Sequence, residues 1–157
     1  MEFSAITDDL FIGTTPHPAE YDLLRRMGVR LVINMRFDRP PAPDPGQPPL
    51  DLLWLPTFDT PLLPIPIRML TRGAEAALAA IKDGGRVYVH CLKGRHRGVA
   101  MGAAVLIAQG ASPAQAMQLI KSRRPLADPD AAYIRWRIHL FARRWTASAG
   151  QPSILNP

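Results

Sequence analysis

The residues best suited to chemistry lie close together, between Cys91 and Arg97. Cys91 is the only cysteine in the chain, and a cysteine thiolate is a strong nucleophile. Three basic side chains follow it directly, and their positive charges favour the thiolate over the thiol. Arg97 can present two N–H groups to two oxygens of an oxyanion, which an ammonium group cannot do. The pattern therefore indicates nucleophilic attack on an anionic substrate.

The flanking residues predict how this stretch is positioned. Residues 86–90 predict a buried strand, and the apolar run 99–108 predicts a buried helix. Residues 91–97, which we call the oxyanion loop, lead into a helix N-terminus, where free backbone N–H groups and the helix dipole favour an anion. Gly94 lets the backbone turn where a Cβ would obstruct it.

The order of residues from His90 to Arg97 matches a known signature. The string HCLKGRHR fits the HCxxGxxR pattern, and the chain resembles an atypical dual-specificity phosphatase of the cysteine-dependent protein tyrosine phosphatase superfamily. A lone cysteine is more often a small buried hydrophobic residue, but the full pattern in a strand-loop-helix context favours the catalytic interpretation. The resemblance implies that Cys91 is the nucleophile, that Arg97 binds phosphate, and that the phosphate-binding loop also contains Leu92, Lys93, Gly94, Arg95 and His96.

The leaving oxygen of a phosphoester needs a proton, because an alkoxide or phenoxide is a poor leaving group. In the resembled family an aspartate on a loop roughly thirty residues before the cysteine supplies this proton, and Asp59 occupies that place. Asp59 could instead cap the turn at residues 60–61, which is a common aspartate role. Asp38 and Asp51 are the alternative acids.

Three further residues bear on the loop. His90 precedes the nucleophile, where the family's histidine helps to hold the loop and tune the thiolate. His96 is open between a role facing the substrate and a packing role. Arg97 is normally followed by serine or threonine, whose hydroxyl stabilises the cysteine sulfur, whereas this chain has Gly98. This departure puts the turnover step in question and supports an alternative of another class, a phospho-ligand-binding pseudophosphatase.

The resemblance implies hydrolysis of phosphomonoesters through a cysteinyl-phosphate, without a metal or another cofactor. The expected substrates are phosphotyrosine, phosphoserine or phosphothreonine proteins or small phosphoesters, and phosphate, sulfate or vanadate-like oxyanions are expected to bind the loop. The residues GRHR also resemble loops of phosphatases that act on inositol pyrophosphates, so an inositol-phosphate or phosphoinositide phosphatase is the alternative. A rhodanese-type sulfurtransferase also uses a cysteine loop, but the HCxxGxxR spacing counts against it.

Composition limits the remaining choices. At 157 residues the chain fits one domain, with residues 1–145 as the phosphatase domain and 146–157 as a flexible tail. The net charge of +6 suits an anionic ligand. No signal peptide or membrane-spanning run is evident and the lone cysteine excludes an internal disulfide, so we expect a cytoplasmic monomer without a nucleic-acid partner.

The order of predicted elements indicates an α/β fold with a central, mostly parallel sheet of four or five strands and helices on both faces. Strands are predicted at residues 2–6, 10–12, 30–34, 50–55 and 86–90, and helices at 17–27, 67–82, 99–108, 112–123 and from 128 onward. Proline-rich loops are predicted at 37–49 and 56–66, the second of which carries Asp59. The aromatic residues of the last helix, among them Tyr133 and Trp136, are predicted to pack in the core.

Overall fold

The computed structural model describes residues 1–149, and its elements follow the predicted order. The strands are β1 (Phe3–Ala5), β2 (Leu10–Gly13), β3 (Val29–Arg36), β4 (Asp51–Thr57) and β5 (Arg86–His90). The helices are α1 (Tyr21–Arg26), α2 (Ile67–Lys82), α3 (Arg97–Ala108), α4 (Pro113–Arg123) and α5 (Ala132–Ala149). The predicted α/β class is confirmed.

The sheet has the strand order β1-β2-β5-β3-β4. Only β1 pairs antiparallel, and the other three pairings are parallel. Strand β5 lies between β2 and β3, and its residues Val87, Tyr88 and Val89 are fully buried, as expected for a parallel strand covered on both faces. Because β2, β3, β4 and β5 run in the same direction, their carboxyl ends meet at one edge of the sheet, and the oxyanion loop leaves from that edge.

Helices cover both faces of the sheet, but unequally. Helices α2 to α5 form the larger layer, and α3 lies within it with almost every residue buried. The opposite face is covered by α1, through Tyr21 and Leu24 packed against Phe11, Val32 and Tyr88. A helix that is apolar all round belongs in a core, so the sequence of α3 fixes its central place.

Several boundaries differ from the prediction for local reasons. The predicted helix 17–27 is divided into a 3-10 turn, Pro18–Glu20, and α1, because proline is accepted only in a first turn. Strand β4 continues through Pro56, which an edge strand tolerates. Helix α5 begins at Ala132, later than predicted, and Trp136 on it is 53% exposed rather than buried in the core.

The carboxyl end of the described chain is helical beyond the predicted domain boundary. Helix α5 continues to Ala149, so residues 146–149 are helical although the sequence assigned them to a flexible tail. Thr146 and Ser148 satisfy their hydroxyls by donating to carbonyls one turn back, at Ala142 and Arg144, which keeps these polar residues compatible with the helix. The rest of the predicted tail, residues 150–157, lies outside the described residues. None of the helices within residues 1–149 has the length and apolar character needed to cross a membrane.

Candidate active site

The oxyanion loop connects the end of β5 to the first turn of α3 and turns sharply at Gly94. Gly94 has φ +61°, in the left-handed region. A Cβ at this position would lie 2.7 Å from the carbonyl oxygen of Gly13 and 2.9 Å from Nη2 of Arg124. Both the conformation and the close approach require glycine, as the sequence predicted.

The carbonyl groups of the oxyanion loop are bound by donors from outside it. Arg124, at the end of α4, is only 1% exposed and reaches two of them with its guanidinium. The bonds run to Cys91 from Thr15 Oγ1 (3.2 Å), to Lys93 from Arg124 Nη2 (2.9 Å), to Gly94 from Arg124 Nε (2.8 Å) and to Arg95 from the backbone N–H of Asp128 (3.0 Å). These four bonds fix the backbone of the loop.

The backbone N–H groups of the same loop remain available. Across residues 1–149, no protein group accepts a hydrogen bond from the N–H groups of residues 92–97. Successive free N–H groups in a tight loop at a helix N-terminus form a concave site for an anion. The arrangement therefore fits a tetrahedral oxyanion.

Cys91 lies at the base of this site. It is 2% exposed, and its sulfur faces the first turn of α3, so closely that a Cβ built on Gly98 would lie 3.6 Å from Sγ. Arg36, buried at the end of β3, adds positive charge nearby. Its hydrogen bond to Asp38 and the charges of Asp38 and Cys91 raise the pKa of Arg36.

Arg97 is the first residue of α3 and is largely buried. Its Nη1 donates to the carbonyl oxygen of Thr57 (2.8 Å) and, at 3.4 Å, to that of Met35, so the ends of β3 and β4 hold the guanidinium in place. Its buried Nε has no hydrogen-bond partner within the described chain. A buried donor without a partner is energetically costly unless a ligand accepts its hydrogen bond. The free Nε is therefore consistent with the phosphate-binding role expected for Arg97.

Asp59 lies beside the oxyanion loop. Its Oδ2 is 3.2 Å from Nδ1 of His96 and 3.9 Å from Nε of Arg97, and its Oδ1 accepts a hydrogen bond of 2.6 Å from the hydroxyl of Tyr133. The turn that follows is capped by Thr60 rather than by Asp59, because Thr60 Oγ1 accepts a hydrogen bond of 3.3 Å from the backbone N–H of Leu62. The capping role is therefore not observed for Asp59, and the acid role stays a prediction.

The two alternative acids are less suitable. Asp51 begins β4 and so lies at the opposite edge of the sheet from the oxyanion loop. Asp38 binds the guanidinium of Arg36 with both oxygens, and this interaction lowers the pKa of Asp38 to about 2. Both oxygens of Asp38 are thus engaged by one guanidinium, and this ion pair opposes protonation of the carboxylate.

The two histidines of the signature differ in their surroundings. His90 is buried at the end of β5, and burial lowers its pKa to about 4, so its ring is neutral near pH 7. His96 lies between two carboxylates, with Nδ1 near Asp59 and Nε2 3.7 Å from Oδ2 of Asp128. His96 therefore belongs to the rim of the site.

Four residues at the site were missed by sequence reasoning: Thr15, Arg124, Asp128 and Tyr133. Each contacts the loop or Asp59 from a distant part of the chain. Tyr133 was assigned to the core, yet its hydroxyl reaches Asp59 across 74 residues of sequence. No local pattern indicates such a contact, because it depends on where α5 packs.

Comparisons with known proteins agree with the geometry. No family model matches the chain. The chain is 33% identical to mouse dual specificity phosphatase 28 over 132 aligned residues. The alignment covers 83% of this chain and 78% of the relative. The crystal structure of human DUSP28 superposes with a TM-score of 0.81 at 29% identity, covering 92% of this chain and 99% of that one. A mouse putative dual specificity phosphatase complexed with zinc tungstate gives a TM-score of 0.82 at 31% identity, over 94% and 90% of the two chains.

Identity at this level over most of both chains is more than a shared fold requires. The HCxxGxxR loop lies within the fold that these relatives share, at the end of the central strand. On this evidence the chain belongs to the atypical dual specificity phosphatases of the protein tyrosine phosphatase superfamily, and it is a cysteine-dependent phosphatase.

Proposed function

We propose that this phosphatase hydrolyses phosphomonoesters through a cysteinyl-phosphate formed on Cys91. The observation that carries the proposal is the orientation of the backbone groups in the oxyanion loop. Its carbonyls are bound from outside, its N–H groups are free, and the sulfur of Cys91 and the unpartnered Nε of Arg97 lie beside them. Such a site stabilises negative charge on three phosphoryl oxygens while the fourth group is exchanged.

The first step forms the intermediate. The thiolate of Cys91 attacks phosphorus, the S–P bond forms as the P–O bond breaks, and the electron pair of that bond goes to the leaving oxygen. Arg97 and the loop N–H groups hold the three other oxygens. Asp59 supplies the proton that the leaving oxygen takes up.

The second step regenerates the enzyme. Asp59, now a carboxylate, takes a proton from a water molecule as that water attacks phosphorus. The S–P bond breaks, inorganic phosphate forms, and the thiolate of Cys91 is restored. No metal ion takes part in either step.

The rim of the site favours proteins or small molecules that carry a single phosphate. Phe37 and Phe58 are exposed beside Arg36 and Asp59, with ring centroids 4.2 Å apart, and can contact an aryl or peptide group. The expected substrates are phosphotyrosine, phosphoserine or phosphothreonine proteins and small phosphoesters, with phosphate, sulfate and vanadate as competing oxyanions. The cytoplasmic location and the monomeric state remain predictions.

The inositol-phosphate alternative receives less support. A polyphosphorylated ligand needs several free cations around the primary phosphate. Arg95 is paired with Asp128 at 3.3 Å and His96 lies between two carboxylates, which leaves Lys93 as the exposed cation of the loop without an acidic partner among the described residues. These acidic partners reduce the positive charge available for a second phosphate. The charge distribution therefore favours a monophosphate.

A substrate panel tests the proposed function. The parent protein and a Cys91→Ser variant are assayed with a phosphotyrosine peptide, an inositol phosphate and p-nitrophenyl phosphate. We expect Cys91-dependent release of phosphate from the peptide and the aryl ester and much slower release from the inositol phosphate. A serine variant as active as the parent would refute the cysteine mechanism, and a strong preference for the inositol phosphate would refute the substrate class.

The acid role of Asp59 is tested by changing the leaving group. Asp59→Asn should lower kcat/KM for phenyl phosphate by on the order of a hundredfold and for p-nitrophenyl phosphate much less, because only the more basic phenoxide depends strongly on a proton. A matched Asp51→Asn variant should show neither effect. An equal loss on both esters would show that Asp59 has only a structural role.

A further inference from the structure

The two oxygens of Asp59 have different surroundings. Oδ1 accepts the hydroxyl hydrogen bond of Tyr133 at 2.6 Å, and Tyr133 belongs to the first turn of α5. Oδ2 faces the oxyanion loop and α3, where Nδ1 of His96 and Nε of Arg97 lie 3.2 and 3.9 Å away. The carboxyl group is therefore oriented by contacts from two separate parts of the chain, residues 96–97 and Tyr133.

We propose that Tyr133 is a positioning residue for the acid, which binds Oδ1 of Asp59 and so leaves Oδ2 to carry the proton toward the substrate. This inference rests on the proposed function. In a carboxylic acid the carbonyl oxygen accepts hydrogen bonds and the hydroxyl oxygen donates one. A donor fixed at Oδ1 thus selects Oδ2, on the side of Arg97, as the hydroxyl oxygen.

As the P–O bond breaks, its electron pair stays on the leaving oxygen and forms the new O–H bond with the proton of Oδ2. The electron pair of the old O–H bond remains on Oδ2, so Asp59 becomes a carboxylate. Tyr133 keeps its own proton throughout. Burial and the hydrogen bond to Asp59 raise the pKa of Tyr133 above its usual value, so its hydroxyl remains a donor across the working range of pH.

Without the hydroxyl of Tyr133, Asp59 would have a competing position. Its side chain is 33% exposed and lies only 3.9 Å from Nε of Arg97, the donor that is expected to bind phosphate. A carboxylate free to rotate would form a direct ion pair with that guanidinium, as arginine and carboxylate groups commonly do. The contact with Tyr133 opposes this pairing and keeps both groups available to the substrate.

A Tyr133→Phe variant removes the hydroxyl and retains the ring, which packs against His96 with centroids 5.6 Å apart. We expect kcat/KM for phenyl phosphate to fall about tenfold, the effect of one hydrogen bond to a charged group, and kcat/KM for p-nitrophenyl phosphate to fall by less than about threefold. Tyr21→Phe is the matched control, because it loses a hydroxyl bond to the carbonyl of Ala42 at 3.1 Å, away from Asp59. This control should keep the parent's dependence on the leaving group.

The Tyr133→Phe change is also made in the Asp59→Asn background, where it should have no further effect on either ester. An equal loss on both esters, or the same loss in both backgrounds, would overturn the inference and indicate a structural role for Tyr133. Failure of the proposed function has a different signature, since turnover in the parent would then not depend on Cys91, and the inference would fall with it.

Discussion

At the scale of single residues, Gly98 is the position where this chain departs from the family pattern, which has serine or threonine after the arginine. In the proposed mechanism the Cys91 thiolate must be expelled from the cysteinyl-phosphate. The family resemblance implies that a hydroxyl after the arginine assists this step, and Gly98 has no donor to offer. A Cβ at position 98 would lie 3.6 Å from both Sγ and the backbone nitrogen of Cys91, which is an ordinary contact. The site therefore has room for a serine.

We predict that Gly98→Ser speeds the second step. A hydrogen bond to a charged group contributes roughly 1.5 to 3 kcal/mol, so the steady-state rate should rise by about tenfold to a hundredfold if the bond forms only in the transition state. Stopped-flow measurement with p-nitrophenyl phosphate should show a burst in the parent and a smaller burst in the serine variant. Gly98→Ala, which adds Cβ without a hydroxyl, is the matched control.

The idea would be refuted by a parent that shows no burst together with a serine variant that gains no rate. If Gly98→Ala gains as much as Gly98→Ser, the hydroxyl is not the cause. The two variants thus separate the effect of a missing hydrogen-bond donor from the effect of reduced backbone freedom at the start of α3.

At the scale of elements, the end of α4 holds the oxyanion loop through Arg124. Its guanidinium donates to the carbonyls of Lys93 and Gly94 and, at 3.2 Å, to Oγ of Ser4, so three elements meet at one buried side chain. A planar group with several donors can bind these acceptors at the same time, whereas a lysine ammonium is a single point. We therefore expect helix α4 to affect anion affinity through the loop carbonyls that Arg124 binds.

We predict that Arg124→Lys weakens binding of inorganic phosphate about tenfold, because the loop loses two of its external bonds and its N–H groups are less well ordered. The inhibition constant for phosphate measures the effect, and thermal unfolding shows that the variant is folded. Arg123→Lys, at the exposed neighbouring position, is the control. Unchanged phosphate affinity in a folded Arg124→Lys protein would contradict the claim.

At the scale of the whole molecule, the buried His90 links stability to pH. Its strand pairs with β2 and β3 at Gly13 and Asn34, so its ring becomes solvated only when the sheet opens. Burial lowers its pKa to about 4 from an ordinary value of 6.5. Between these two values the unfolded chain binds a proton that the folded chain does not, so stability is present above about pH 6.5 and is lost as the pH falls toward 4.

Urea unfolding measures this dependence. We predict that His90 lowers the free energy of unfolding by about 2 kcal/mol between pH 7 and pH 5. His90→Asn should remove most of that slope, and His139→Gln should keep it. A parent slope that survives in His90→Asn would show that other groups cause it.

Much of the fold was predictable because its signals are local. The apolar run of α3, the strand at residues 86–90 and the glycine at position 94 each depend on neighbours in sequence, and the structure confirms all three. Asp59 was indicated by its distance from Cys91 in a known family. Its partner Tyr133 and the loop's support from Arg124 depend on how α5 and α4 pack, and an aromatic residue in an apolar stripe gives no sign of a polar contact.

A phosphoryl group carried by Cys91 during turnover can be detected directly. The protein is mixed with p-nitrophenyl phosphate, quenched in acid within the burst, digested and analysed by mass spectrometry. Because Cys91 is the only cysteine, a phosphoryl thiol can lie at no other position. We predict a phosphoryl group on the peptide that contains Cys91 and none on the corresponding peptide of the Cys91→Ser variant. Steady hydrolysis with an unmodified Cys91 peptide, or with the phosphoryl group on His90, would contradict it.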